Sequence, residues 1–131
     1  MTPQPTAELS EISDKIIRHI ASSEEAETIA MMHPSIRSDL PWSAIADVWT
    51  SILTDYGELR DITDSEIVPL KEKRRAGSAA TALSRKATGT SVVVSTLNHE
   101  AGELMSRIAI SREGAVVGIL FLEPEATDYP F

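Results

Sequence analysis

The chain contains no cysteine. That excludes disulfides, thiolate catalysis and Cys-ligated zinc or iron–sulfur sites together, and it fits a reducing, cytoplasmic setting. Long apolar runs are also missing, since no stretch approaches the ~18 residues of a membrane span. The opening MTPQPTAELSE has neither a basic region nor an apolar one, so no signal peptide is expected. Histidine is scarce, and His19, His33 and His99 share no ligand-type spacing such as H-x-x-x-H. No metal site and no cofactor is expected. No internal repeat and no catalytic motif is visible.

Positive charge is in short supply. Twelve Lys and Arg face 20 Asp and Glu, for a net charge of −8. Such a surface repels DNA, RNA and anionic lipid at long range, so neither a nucleic acid nor a membrane is expected as a partner. Residues 71 to 86 break the pattern. Lys71, Lys73, Arg74, Arg75, Arg85 and Lys86 meet a single acid, Glu72, which makes the segment +5 and leaves −13 on the rest. The segment lacks the interleaved aromatics that stack on bases. It reads as a solvated stretch or one lying on the protein's own acidic face.

What is present suits one domain over residues 1–131. Apolar residues make up 42% and charged residues 24% of the chain, enough to build a core and stay soluble. The ordered core is expected over about 6–122, with a loose tail before it and a variable basic insert at about 70–89.

Leu9, Ile12, Ile16, Ile17 and Ile20 recur at helical spacing and predict a first helix over 6–21. Ser22 with Glu25 reads as a capping box opening a second helix, which His33-Pro34 ends. Trp42, Ile45, Ala46, Trp49, Ile52, Leu53 and Tyr56 form an amphipathic stripe between Pro41 and Gly57, the strongest helical signal in the chain. After Gly57 the period changes. Residues 59–63 and 66–68 suggest a strand interrupted by a bulge near Asp64. Residues 76–87 read as a short helix or a mobile loop. Residues 91–97, 104–111 and 116–122 predict three antiparallel strands, with Gly114 in a hairpin loop. The last strand is apolar on both sides, which predicts a central or doubly covered position.

This order predicts an α+β fold, with three N-terminal helices packed on a curved, mainly antiparallel sheet. It resembles the cone-shaped fold of the nuclear transport factor 2-like (cystatin-like) superfamily, which includes ketosteroid isomerases and polyketide cyclases. A closer resemblance is to a bacterial domain-of-unknown-function family often fused to alpha/beta-hydrolases. It rests on Trp49 to Leu59 (WTSILTDYGEL) and on Ser111 to Phe121 (SREGAVVGILF). Residues 8 to 122 are covered, and the basic insert departs from the family's compact pattern. The resemblance implies a pocket between helices and concave sheet, and often a homodimer through the outer sheet face. Fold alone does not choose among catalysis, binding and a filled pocket.

The pocket candidates are Trp42, Trp49, Tyr56 and His33. The dimer candidates are Val93, Val117, Ile119 and Phe121, set on one side of the last strands as an apolar patch. An isomerase, dehydratase or cyclase would need a carboxylate or histidine base and donors for an oxyanion. His33, Asp55, Tyr56, Asn98 and His99 are the groups to weigh, and none belongs to a convergent acid–base cluster. Each has an ordinary reading: His33 as a helix-end cap, Asp55 as solvated, Tyr56 as a ring packed at the end of its stripe with its hydroxyl in water, and Asn98-His99 as turn residues. The leading expectation is therefore a noncatalytic module that binds a small apolar ligand or another protein.

Overall fold

The structure, a computed structural model, describes residues 6–69 and 90–126. The basic insert, the N-terminal tail and the last residues of the C-terminal tail lie outside the described residues, and with them the expectations placed there.

Three α-helices precede four strands. Helix α1 (Thr6–Ala21) buries Leu9, Ile16, Ile17 and Ile20 along one stripe. Ser13 sits in that stripe, fully buried, and its hydroxyl has no partner among the described residues. The helix ends where Ser22 N–H and Glu24 N–H bond back to the Arg18 and His19 carbonyls, with Ser23 at φ 58°. Ser22 therefore closes α1 and does not cap the next helix, as its spacing from Glu25 had suggested. Helix α2 (Glu25–Met31) is preceded by Glu24, which makes no side-chain cap; its carboxylate lies 2.6 Å from His19 Nδ1. A 3₁₀ turn (Pro34–Ile36) follows, started by His33. Helix α3 (Trp42–Tyr56) begins after Pro41 and stops at Gly57, whose φ of 80° favours glycine.

Strands β1 (Leu59–Pro69), β2 (Ser91–His99), β3 (Gly102–Ile110) and β4 (Val116–Leu122) form one curved antiparallel sheet in the order β1-β2-β3-β4. The register of β1 on β2 slips between Thr63 and Glu66, with Asp64 at φ 55°, so the bulge read from the sequence is there. Both α1 and α3 lie on one face. On that face stand Ile62 and Ile67 of β1, Val93, Leu97 and His99 of β2, Leu104 and Ile108 of β3, and Ile119 and Phe121 of β4.

Of the central or doubly covered position expected for β4, the central one is overturned, because β4 is an edge strand. Its start is capped by the chain ahead of the 3₁₀ turn, where Met32 bridges Val116 and His33 N–H donates to the Val116 carbonyl at 2.8 Å. The register also slips beside Ile110, which pairs with Val116 while Ala109 pairs with Gly118. That slip puts Val116 on the same face as Ile119 and Phe121, the helix side. The helices thus take one apolar set of β4, and Leu120 and Leu122 remain on the other face.

Candidate functional site

Helix α3 brings its buried stripe down on the end of the sheet where β2 turns into β3. Trp49 is only 3% exposed, and its ring meets two others. The His99 ring centroid lies 5.6 Å away, tilted by 49°, and that of Phe121 lies 5.4 Å away, edge-on. Tyr56, two turns further along α3, approaches the other side of His99 at 6.2 Å. Aromatic pairs at these spacings favour offset or edge contacts over face-to-face stacking.

The position of His99 is set by a clamp between the end of α3 and the β2–β3 turn. Ala101 N–H donates to the Tyr56 carbonyl at 2.8 Å, and Glu100 N–H to the Glu58 carbonyl at 3.0 Å. Glu58 N–H donates back to Glu100 Oε1 at 3.0 Å. Inside this clamp His99 Nδ1 lies 2.8 Å from the Gly57 carbonyl. A carbonyl only accepts, so Nδ1 carries the proton. In the neutral ring Nε2 is then a bare acceptor. It is buried, and among the described residues no group bonds to it. The Trp49 Nε1–H, a pure donor, is likewise buried and has no partner among the described residues. Leaving such a group unsatisfied costs about 1–3 kcal/mol, so two on adjacent rings call for a reason.

A cavity of about 360 Å³ opens beside Trp49, walled by Arg18 and Ala21 of α1 with the following Ser22, Trp49 and Leu53 of α3, and Glu58 and Leu59 at the start of β1. Trp49 is a wall residue; His99 lies one ring further in. Arg18, Ser22, Leu53 and Glu58 in this wall are exposed, and Trp49 is buried.

Of the four pocket candidates from the sequence, Trp49 lines this cavity and Tyr56 joins the ring cluster. Trp42 is half-buried and packs on the core one heptad earlier on α3, about 10 Å along the axis. His33 stands at the Val116 end of β4, roughly 17 Å of strand away from Phe121. Its Nδ1 takes the Ser35 N–H at 3.1 Å, a surface cap. Asn98 is spent bridging β2 to β1, donating to Asp61 at 2.6 Å and Thr63 at 2.9 Å. Asp55 is exposed.

The dimer candidates separate as well. Val93 is fully buried under the helices, Phe121 rests on Trp49, and Ile119 shares the buried face through its partner Ile108. Val93 is a core residue, and Ile119 and Phe121 are partly buried against the core on the helix side of the sheet, not on its outer face. Val117 falls in the register slip and is half-buried.

Among the described residues, no group of His, Cys, Asp or Glu is gathered to hold a metal ion, and no helix is long and apolar enough to cross a membrane. One acid in the helical layer is perturbed: burial holds the Asp14 carboxyl above its usual range, opposed by the nearby Arg18. No family model matches the chain, and neither a curated protein nor a solved structure is significantly similar to it.

Proposed function

We propose that this chain is a noncatalytic module that binds a small, largely apolar ligand in the cavity over Trp49, built on a nuclear transport factor 2-like arrangement of helices over a curved sheet. The observation that carries the reading is the cavity itself, with the buried Trp49 ring as part of its wall. Family membership rests on the order of elements, three helices before an antiparallel sheet. The experiment is thermal unfolding with small ring compounds. A ligand present at ten times its Kd and binding only the folded state adds about 1.4 kcal/mol. Ala21→Phe, which fills the cavity from the α1 side, should abolish that gain. A gain unchanged in Ala21→Phe would place the ligand elsewhere.

A second reading has its own observation. His99 is held by Gly57 at Nδ1 and keeps Nε2 free, the form a general base takes, and Trp49 Nε1–H could steady a developing oxyanion. An isomerase, dehydratase or cyclase would use this pair. Against it stands the lack of a partner acid among the described residues: Glu58 and Glu100 are exposed, and the Glu100 carboxylate accepts the Glu58 N–H. Isotope exchange at the α-carbon of a bound ketone, lost in His99→Gln, would favour the enzyme.

The binding reading also accommodates a homodimer through the outer sheet face in a cytoplasmic protein. Val94, Met105, Leu120 and Leu122 are half-buried there and would serve in place of the residues first expected. Light scattering tests it, since a mass near 14.2 kDa means a monomer.

A further inference from the structure

The two edges of the sheet are built differently. An edge strand offers unpaired N–H and C=O groups to any other chain, and proteins blunt it with charge, proline or a bulge. The β1 edge has all three: Arg60, Asp61, Asp64 and Glu66 along it, a slip between Thr63 and Glu66, and Pro69 at its end. The β4 edge lacks them. Its sequence VVGILFL holds no charge and no proline, and its one register slip lies at its start, beside Ile110. His33 N–H covers the Val116 carbonyl. From Val117 to Leu122, no backbone–backbone hydrogen bond among the described residues leaves the strand on the side away from β3. We infer that this open edge pairs antiparallel with β4 of a second copy, joining two four-stranded sheets into one continuous sheet about a twofold axis at Leu120. The pairing is independent of the cavity, and it uses the rim of the sheet and not its outer face.

The occupied end of β4 sets the register. Opposed residues of antiparallel strands share a face, so a strand that meets its own copy has one residue facing itself. With Val116 taken by His33, the pairing that uses all of Gly118 to Leu122 sets Leu120 opposite Leu120 and Gly118 opposite Leu122. On the helix side Ile119 then meets Phe121 of the second copy. All of these large side chains are half-buried in one chain, and the pairing covers them further.

Charge selects a second copy over an unrelated strand. Glu123 follows β4 directly and is exposed. In this register it falls opposite Val117, one residue from the corner where His33 holds Val116. The exposed Arg37 stands at that corner, since its guanidinium donates to the Met32 carbonyl at 3.0 and 3.2 Å and Met32 bridges Val116. The acid at the end of each strand thus comes to the basic corner of the other copy, and the twofold axis repeats the match. A parallel pairing would set the two acids side by side.

The chain has no cysteine, so one introduced thiol reports the register. Opposed Cβ atoms in an antiparallel pair lie about 4.5–5.5 Å apart, within reach of a disulfide. Leu120→Cys should therefore cross-link into a dimer under mild oxidation. Leu122→Cys lies on the same face but ~13 Å of strand from its twin, and should cross-link at least tenfold more slowly. Sedimentation of the unaltered full chain should give twice 14.2 kDa at about 100 μM, because one strand pair is smaller than a standard interface and associates in the micromolar range. Arg37→Glu should weaken association at least tenfold, and adding Glu123→Arg should restore it to within about threefold. A mass of 14.2 kDa at that concentration would overturn the pairing. So would a doubled mass with equal cross-linking at the two positions and no response to the charge exchange, which would move the interface to the outer face. A chain that dimerises only after residues 127–131 are removed would make those residues the occupant of the edge and overturn it as well. Circular dichroism checks that each variant is folded, and should Arg37→Glu not fold, the cross-linking comparison decides alone.

Discussion

His99 Nδ1 donates to the Gly57 carbonyl across 2.8 Å, joining the end of β2 to the end of α3. This one bond fixes the imidazole tautomer, holds the ring against Trp49 and Tyr56, and satisfies a carbonyl at a helix end. His99→Ala removes the donor and leaves that carbonyl unpaired beside a new void. It should lower stability by about 2–4 kcal/mol, the sum of an unmet buried acceptor and lost packing. His99→Gln, which keeps a donor in reach, should cost less. Urea unfolding of both variants checks the ordering, and equal losses would show that the bond to Gly57 contributes little.

Trp49 links the helical layer to both His99 and Phe121. Trp49→Ala should cost about 3–5 kcal/mol, the range for truncating a buried large aromatic. Trp49→Phe keeps much of the packing and removes the unpartnered N–H, so its cost should be markedly smaller. A Trp49→Ala loss below about 1 kcal/mol would mean that α3 does not hold the sheet in the way its stripe suggests.

At Gly57 two constraints coincide. Its φ is +80°, and a Cβ there would fall 2.7 Å from Glu100 Oε1 and 2.9 Å from Glu100 Cβ. Gly57→Ala should therefore destabilise by about 1–3 kcal/mol. Adding Glu100→Ala relieves the contact with the carboxylate but not the backbone strain, so the double variant should recover part of the loss and not all of it. Full recovery in chemical denaturation would put the whole effect on the contact.

Much of the fold was legible in the sequence because helix and strand periods are carried by large residues. The stripe from Trp42 to Tyr56 marked α3, and the β-branched run Val92 to Val94 marked β2. The bulge at Asp64 was readable because the strand pattern broke there. What failed was local. Ser22 and Glu25 have capping-box spacing, yet the chain closes α1 with the same serine. Val116 and Val117 give no sign of a register slip, so alternation alone turned Phe121 and Ile119 outward. His99 was read as a turn residue. The alternation of Val93, Ser95, Leu97 and His99 already set it on the core face. No spacing rule announces that Gly57, more than forty residues earlier in the chain, accepts its proton.

The revised faces of β4 make a prediction opposite to the one the strand pattern suggested. Phe121→Asp and Ile119→Asp place a carboxylate against Trp49 or among Val93 and Ile108. Burying an unpaired charge costs several kcal/mol, so both should unfold the protein or leave it with greatly lowered stability. Circular dichroism with light scattering distinguishes this from dissociation of an assembly. A fully folded Phe121→Asp monomer would restore the outer-face assignment.

The pH dependence of stability should carry the mark of Asp14. Burial raises its carboxyl above the usual range, Arg18 on the next turn pulls the other way, and Oδ1 has no hydrogen-bond partner among the described residues. A folded-state value above the unfolded one means that the native state binds the proton more tightly. The stabilising contribution is then complete below the unfolded pKa of about 3.9 and is lost as pH rises through the folded value. At neutral pH the ionised carboxylate is therefore a net burden. Asp14→Asn should match or exceed the parent in stability at pH 7 and should flatten this acidic-range slope. Arg18→Ala removes the opposing charge and should extend the falling limb to higher pH. Urea midpoints from pH 3 to pH 7 for the three proteins measure the effect. A parent protein that gains more stability than Asp14→Asn across that range would reverse the sign, and would show the carboxylate to be favoured where it stands.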